Sequence, residues 1–194
     1  LLATGRKPNT ESLNLQAAGI QTTNRGAIEV DSKLRTNIPN IWAIGDVHGG
    51  LQFTYLSLDD YRIIREELFG NGFRSLDDRE AVAYSVFIDP PLAHVGLNET
   101  QARKMEKNIK VASLPAAAMP RTRTIEQTDG LLKAVVDADT GKILGCTLFC
   151  AESSEVINTV SLAMRLGYAI KLDTNGTNPT MLRSLCETGQ LDMV

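Results

Sequence analysis

"LLKAVVDADTGKILGCTLFC", residues 131–150, consists of two apolar runs separated by Asp139-Thr140-Gly141. Both runs are rich in Val, Ile, Leu and Thr, and the short polar break carries a glycine. The pattern predicts two strands joined as a hairpin, so the sheet they belong to is expected to be antiparallel. Immediately beyond, "EVINTVSLAMRLG" (155–167) places Val156, Ile157, Val160 and Met164 on one side of a helix, with Ser153 or Ser154 as its cap and Gly167 at its end. Toward the amino terminus, "IKVASL" (109–114) and "VAYSVFI" (82–88) also read as strands. The second of these stops at Asp89-Pro90-Pro91, because proline cannot donate to a ladder. Asn98 with Gln101 has the spacing of a capping box and predicts a short helix through Lys107. His94, in "LAHVGL", is expected as a half-exposed strand residue, and "PRTRT" around Arg121 and Arg123 as a solvated turn.

The first seventy residues have a different texture. Residues 27–30 follow an Asn24-Arg25-Gly26 turn and read as a short strand, and 41–44 as a second strand with apolar residues on both faces, which implies burial on both sides. "FTYLSLDDYRIIREELFG" (53–70) puts Tyr55, Leu58, Ile63 and Leu68 near helical spacing, with Gly70 as the stop. "GNGFRSLDDRE" (70–80) has the composition of a linker. "IPNIWAIGDVHGG" (38–50) ends its apolar run at Gly45-Asp46. An aspartate there is either a turn former or, at the carboxyl end of a buried strand, an acceptor for ligand hydroxyls, with the start of the next helix near Gln52 to Thr54 facing the same crevice.

Composition excludes several classes. The 194 residues carry a formal net charge of -3 with both signs mixed along the chain, which argues against nucleic-acid and membrane-surface binding. No apolar run approaches the roughly 20 residues of a membrane helix. Three cysteines, Cys146, Cys150 and Cys186, with no charged-then-apolar leader, fit a reducing cytoplasm. "LLATGRKPN" opens without an initiator Met, like the end of a strand running into a turn, so the chain is expected to begin inside something larger.

Several ordered motifs together carry a family resemblance. "ATGRKPN" (3–9), "LNLQAAGI" (13–20), "IEVDSKLRTNIPNIWAIGDV" (28–47) and the 53–70 segment resemble the C-terminal part of the FAD domain of pyridine nucleotide-disulfide oxidoreductases. "VFIDPPLAHVGLNETQAR" (86–103) and "GLLKAVVDADTGKILGCTLFCAESSEVINTV" (130–160) resemble the dimerisation domain of that family, the nearest likeness being the mercuric-reductase-like branch associated with reactive-chlorine resistance. The resemblance implies an α+β chain: a C-terminal segment of an FAD-binding α/β domain (1–70), a linker (71–80), and a dimerisation domain with an antiparallel sheet flanked by helices (81–194). It implies that Asp46 accepts a hydrogen bond from the flavin ribitol with Gly45 allowing close approach, that the amides near Phe53 and Thr54 lie by the flavin pyrimidine edge, and that Thr4 and Gly5 lie where the chain re-enters the FAD domain. FAD, with NAD(P)H in the parent, is the expected cofactor; a second copy and the parent's N-terminal domains are the expected partners.

Other family features are not in this sequence. There is no G-x-G-x-x-G loop for the FAD pyrophosphate, no C-x-x-x-x-C redox pair and no second glycine motif for NAD(P)H. Cys146 and Cys150 are four apart in a predicted strand, about 13 Å along one face, and are expected as ordinary buried or surface thiols. Where the family carries a His-Pro-Thr segment and a following Glu, Asn178 and Arg183 stand here. Asparagine has no titrating imidazole, so no proton relay is expected at that position. His48 is expected to face solvent from its loop. The reading is thus an oxidoreductase fragment without activity of its own. The alternatives are a free-standing, non-catalytic dimerisation module and an unrelated sugar- or nucleotide-binding domain using Asp46.

Overall fold

A computed structural model describes residue 2 and residues 4–167, which divide into one unit ending at Arg79 and a second beginning at Glu80. In the second unit the 131–150 stretch forms the expected hairpin, β4 (Leu131–Asp137) and β5 (Ile143–Phe149). The Asp137 carboxylate closes it by accepting the amides of Asp139 at 3.0 Å and Thr140 at 2.9 Å, and Gly141 takes a φ of 71°. Those amide bonds favour the charged carboxylate and hold its pKa below the usual range. β1 (Ala83–Val86), β2 (Leu92–Gly96) and β3 (Ile109–Pro115) complete a five-stranded antiparallel sheet in the order β1-β2-β5-β4-β3.

Register decides what the sheet buries. Ala93 lies opposite Leu148 and Val95 opposite Cys146, and Leu132 and Ala134 face the same two β5 residues from the other side. Since side chains alternate across a strand, Cys146, Leu148 and Cys150 share one face. Helix α4 (Ser153–Arg165) lies on it, inserting the fully buried Ile157 and packing Val160 and Met164 alongside. Burying a side chain of that size stabilises by about 2 kcal/mol. Val156 is not on this face: it is one residue, about 100°, away from Ile157 and is half exposed. Neither serine caps the helix. Glu152 is the preceding left-handed residue, while Ser153, the first helical residue, donates from Oγ to the Pro91 carbonyl at 2.7 Å.

Smaller elements refine the expectations. Asn98 and Gln101 exchange capping-box bonds at 2.9 Å, opening α2 (Glu99–Lys104). The helix stops short of Lys107 because Glu106 turns left-handed (φ 55°) and the Lys107 amide bonds back to the Ala102 carbonyl at 3.3 Å. "PRTRT" is not a solvated turn but the one-turn helix α3 (Pro120–Thr124), with Pro120 in the first turn and Thr122 buried through hydroxyl bonds to the Met119 and Ala116 carbonyls. His94 is buried rather than half exposed. Its Nδ1 meets Thr147 Oγ1 at 2.8 Å and its Nε2 the Gly96 carbonyl at 2.9 Å.

In the first unit α1 (Thr54–Phe69) runs as expected and ends at Gly70. The two short apolar runs before it do not form strands. Ile28 bridges only Thr22, and Trp42 only Arg35. Turns at both ends explain this. Thr36 Oγ1 binds the carbonyls of Ile38 and Ile41, the Ala43 amide reaches Leu34, and no room is left to extend a ladder. Leu34, Ala43, Leu56 and Ile63 are buried in this unit. The segment after α1 is tied to residues 32–33: Lys33 donates to the carbonyls of Gly72 (2.5 Å) and Arg74 (2.7 Å), and the Leu76 amide donates to the Ser32 carbonyl (2.8 Å).

Gly145 sits where β5 passes the chain leaving β2, and a Cβ there would overlap the backbone of Leu97. Gly145→Ala is expected to lower stability by about 1–3 kcal/mol, measured by urea unfolding, with the exposed Lys142→Ala as an unaffected control.

Candidate functional site

Gly45, Asp46, Val47 and His48 form a single 3-10 turn entered from Ile44 in extended conformation. Gly45 has a φ of 71°, and a Cβ on it would press on Ser57 Oγ at 3.2 Å, so both backbone and space call for glycine. Asp46 projects from the turn with its side chain 53% exposed. Its one ion pair among the described residues is to Arg6 Nη1 at 3.8 Å, also exposed. A surface pair of that kind is worth less than about 1 kcal/mol, so the carboxylate keeps acceptor capacity for a ligand hydroxyl.

The turn leads to the start of α1. Gly49 (φ 82°) donates to the Asp46 carbonyl at 3.2 Å, and Gly50 (φ 79°) redirects the chain. Phe53 is the extended residue before the helix, its carbonyl accepts from the Leu56 and Ser57 amides, and its ring stacks on Tyr55 at 5.8 Å. No side chain caps this end, and the Thr54 amide donates to no described residue. The Thr54 amide and the helix dipole together favour an electron-rich ligand atom. Gly45, Asp46, Phe53 and Thr54 therefore belong to one continuous turn-to-helix segment.

Sequence reasoning passed over what lies behind that segment. The buried face of α1 is Leu56, Asp60 and Ile63, whereas Tyr55, Leu58 and Leu68 are half exposed. Asp60 is 1% exposed. One carboxylate oxygen, Oδ2, accepts the Gly45 amide at 2.6 Å and lies 3.0 Å from His48 Nε2, and the other pairs with Arg79 Nη2. Arg79 also binds Asp59 through Nε at 2.9 Å, and Arg74 binds Asp59 at 2.7 Å. His48 is thus an inward-facing partner of a buried carboxylate, not a solvent-facing loop residue. Gly45, His48, Asp60 and Arg79 line a cavity of about 560 Å³ together with Ile28 and Leu56. The one signal in the sequence was spacing: Asp60 stands four residues after Leu56 and three before Ile63, on their stripe.

Asn178, Arg183 and Cys186 lie outside the described residues. Among the described residues there is no cluster of His, Cys, Asp and Glu fit for a metal, and no helix long and apolar enough to cross a membrane.

Comparison with known proteins agrees with both units. Residues 82–186 match the family described as "Pyridine nucleotide-disulphide oxidoreductase, dimerisation domain", and residues 1–60 match "Pyridine nucleotide-disulphide oxidoreductase". The Escherichia coli (strain K12) protein "Probable pyridine nucleotide-disulfide oxidoreductase RclA" is 54% identical over 95% of the chain, which covers 42% of that protein. A mercuric reductase of Staphylococcus aureus is 37% identical over 92% of the chain, covering 32% of its length. The solved structure of the "HOCl-induced flavoprotein disulfide reductase RclA" from Escherichia coli superposes with a TM-score of 0.79 at 49% identity, covering 94% of this chain and 43% of that one. The chain thus spans about two fifths or less of the length of these relatives.

Cys146 and Cys150 are unpaired thiols within the hydrophobic core. Burial, with a smaller contribution from Cys150, pushes the Cys146 thiol from 9.0 up to about 11, and burial raises Cys150 too. Because the folded state holds these protons more tightly than the unfolded chain, their contribution to stability is full below about pH 9 and is lost as pH rises toward 11. At pH 8 both thiols are expected to resist iodoacetamide in the native protein and to label readily in urea, as read by peptide mass mapping. Rapid native labelling of Cys146 would contradict this placement.

Proposed function

Because the chain belongs to the pyridine nucleotide-disulphide oxidoreductase family, we propose that it is the C-terminal part of an FAD-dependent enzyme moving reducing equivalents from NAD(P)H to a disulfide, metal or oxidant. It contributes one wall of the flavin site and the surface on which two copies associate. The observation that carries this reading is the Gly45–Asp46 turn running into the uncapped start of α1. An exposed carboxylate suits a polyol hydroxyl, and the Thr54 amide at the helix start suits the electron-rich pyrimidine edge, next to Phe53, whose own amide bonds the Leu51 carbonyl at 3.3 Å. The residues present therefore fit part of a flavin. The flavin, when bound, supplies the hydride chemistry. Asp46 accepts a hydrogen bond and orients the sugar-like chain, Gly45 permits close approach, and the helix start supplies positive potential beside the ring.

Association is assigned to the second unit, in line with its match to a dimerisation domain. Val86 at the end of the edge strand β1, and Phe87 and Ile88 just beyond it, expose large apolar side chains, Phe87 to 90%, as a contact surface would. Asn178 and Arg183 have no proton to exchange near neutral pH, so no acid–base role is assigned to them. The free core thiols suit a reducing cytoplasm, the compartment proposed here.

Coding DNA upstream of Leu1 should carry an in-frame G-x-G-x-x-G and C-x-x-x-x-C; a start codon directly before Leu1 would favour the non-catalytic module instead. The full-length protein is expected to purify yellow and to sediment as a dimer at micromolar concentration. Asp46→Ala should weaken FAD binding about tenfold in a flavin titration. Unchanged affinity would remove Asp46 from the site.

A further inference from the structure

We propose that Asp60 is the positioning residue of this site, a buried carboxylate that clamps both ends of the turn presenting Asp46. The inference rests on the flavin reading of that turn. Its geometry is specific. The turn spans Gly45 to His48, and a single oxygen, Asp60 Oδ2, takes the amide of its first residue at 2.6 Å and the imidazole of its last at 3.0 Å. Asp46 lies between these two anchors, so its backbone is fixed from behind while its carboxylate remains half exposed in front.

The charge at position 60 is hard to explain by stability alone. The neighbours of Asp60 on the buried stripe are Leu56 and Ile63, and an aliphatic side chain would continue that stripe without desolvating a carboxylate. Arg79 offsets the burial through the second oxygen, and Asp59 holds Arg79 in place. Asp59, Asp60 and Arg79 form a support in which each charge has a partner. A leucine at position 60 would fill the space but offer nothing to the Gly45 amide, which donates to Asp60 Oδ2 at 2.6 Å. Asp60, 1% exposed, acts through Gly45 and His48 on the direction of Asp46.

A double-mutant cycle on the full-length protein tests this, with FAD affinity and the flavin absorption spectrum as readouts. Asp46→Ala and Asp60→Asn are each expected to weaken FAD binding, the first about tenfold and the second about fivefold. If Asp60 works through Asp46, the double variant should bind no worse than Asp46→Ala alone. Independent losses that multiply to about fiftyfold would show a general structural effect and overturn the positioning role, as would an Asp60→Asn variant with wild-type affinity and spectrum. If Asp60→Asn does not fold, His48→Ala removes one arm of the clamp from a partly exposed position and is carried through the same cycle, with the same two outcomes. A wild-type protein that binds no FAD would instead overturn the flavin reading, and the proposal with it.

Discussion

The buried ion pair between Asp60 and Arg79 is the constraint on which the first unit depends. This unit has no regular strand among its described residues, so a sheet ladder does not fix its loops. Their positions come from scattered backbone bonds, such as the Ile28 amide to the Val47 carbonyl at 3.0 Å, and from polar contacts to a few charged side chains: Asp60 holds the Gly45–His48 turn, Asp59 and Asp60 hold Arg79, and Lys33 holds the carbonyls of Gly72 and Arg74. Such contacts are directional, which lets one helix orient several irregular segments. They are also vulnerable, because removing one partner of a buried pair leaves an uncompensated charge, at a cost of about 3–5 kcal/mol.

The second unit is organised by different physics. β5 is paired on both sides, and its inward residues meet Ala93, Val95, Leu132 and Ala134 across the sheet and Ile157 from the helix above. Apolar packing is non-directional, and the ladder supplies the direction. Polar groups under this layer are satisfied locally: Ser153 at Pro91, Ser161 at Ala81, His94 between Thr147 and Gly96. The two cysteines in the layer behave as small apolar residues, which is why their protons are held so tightly.

This difference explains what the sequence revealed. The hairpin on Asp139-Thr140-Gly141, the α4 helix and the capping box at Asn98 were legible because each is a local signal: a period, a turn residue, a pair three residues apart. The turn at Gly45–Asp46 was legible for the same reason. The strands expected at 27–30 and 41–44 were not formed, because an apolar run becomes a ladder only if its flanking turns leave a partner to pair with. Asp60 and His48 were missed because their meaning is tertiary. An Asp-Asp pair in a charged helix reads as a solvated face, and a histidine among glycines reads as loop; only the approach of the two across twelve residues of chain makes them partners.

The same logic accounts for where charge is tolerated. In the second unit, the described ion pairs are exposed or only partly buried, as at Glu99 with Arg103 and Lys133 or Arg121 with Glu152, where solvent keeps both their cost and their benefit small. In the first unit charge also goes inside, beneath the turn that presents Asp46 outward. In the proposed flavin site the Asp46 carboxylate has to keep its direction when water is displaced from in front of it, and an irregular turn has no ladder to provide that rigidity. The Asp60 carboxylate bonds the turn from behind and leaves the exposed side of Asp46 clear.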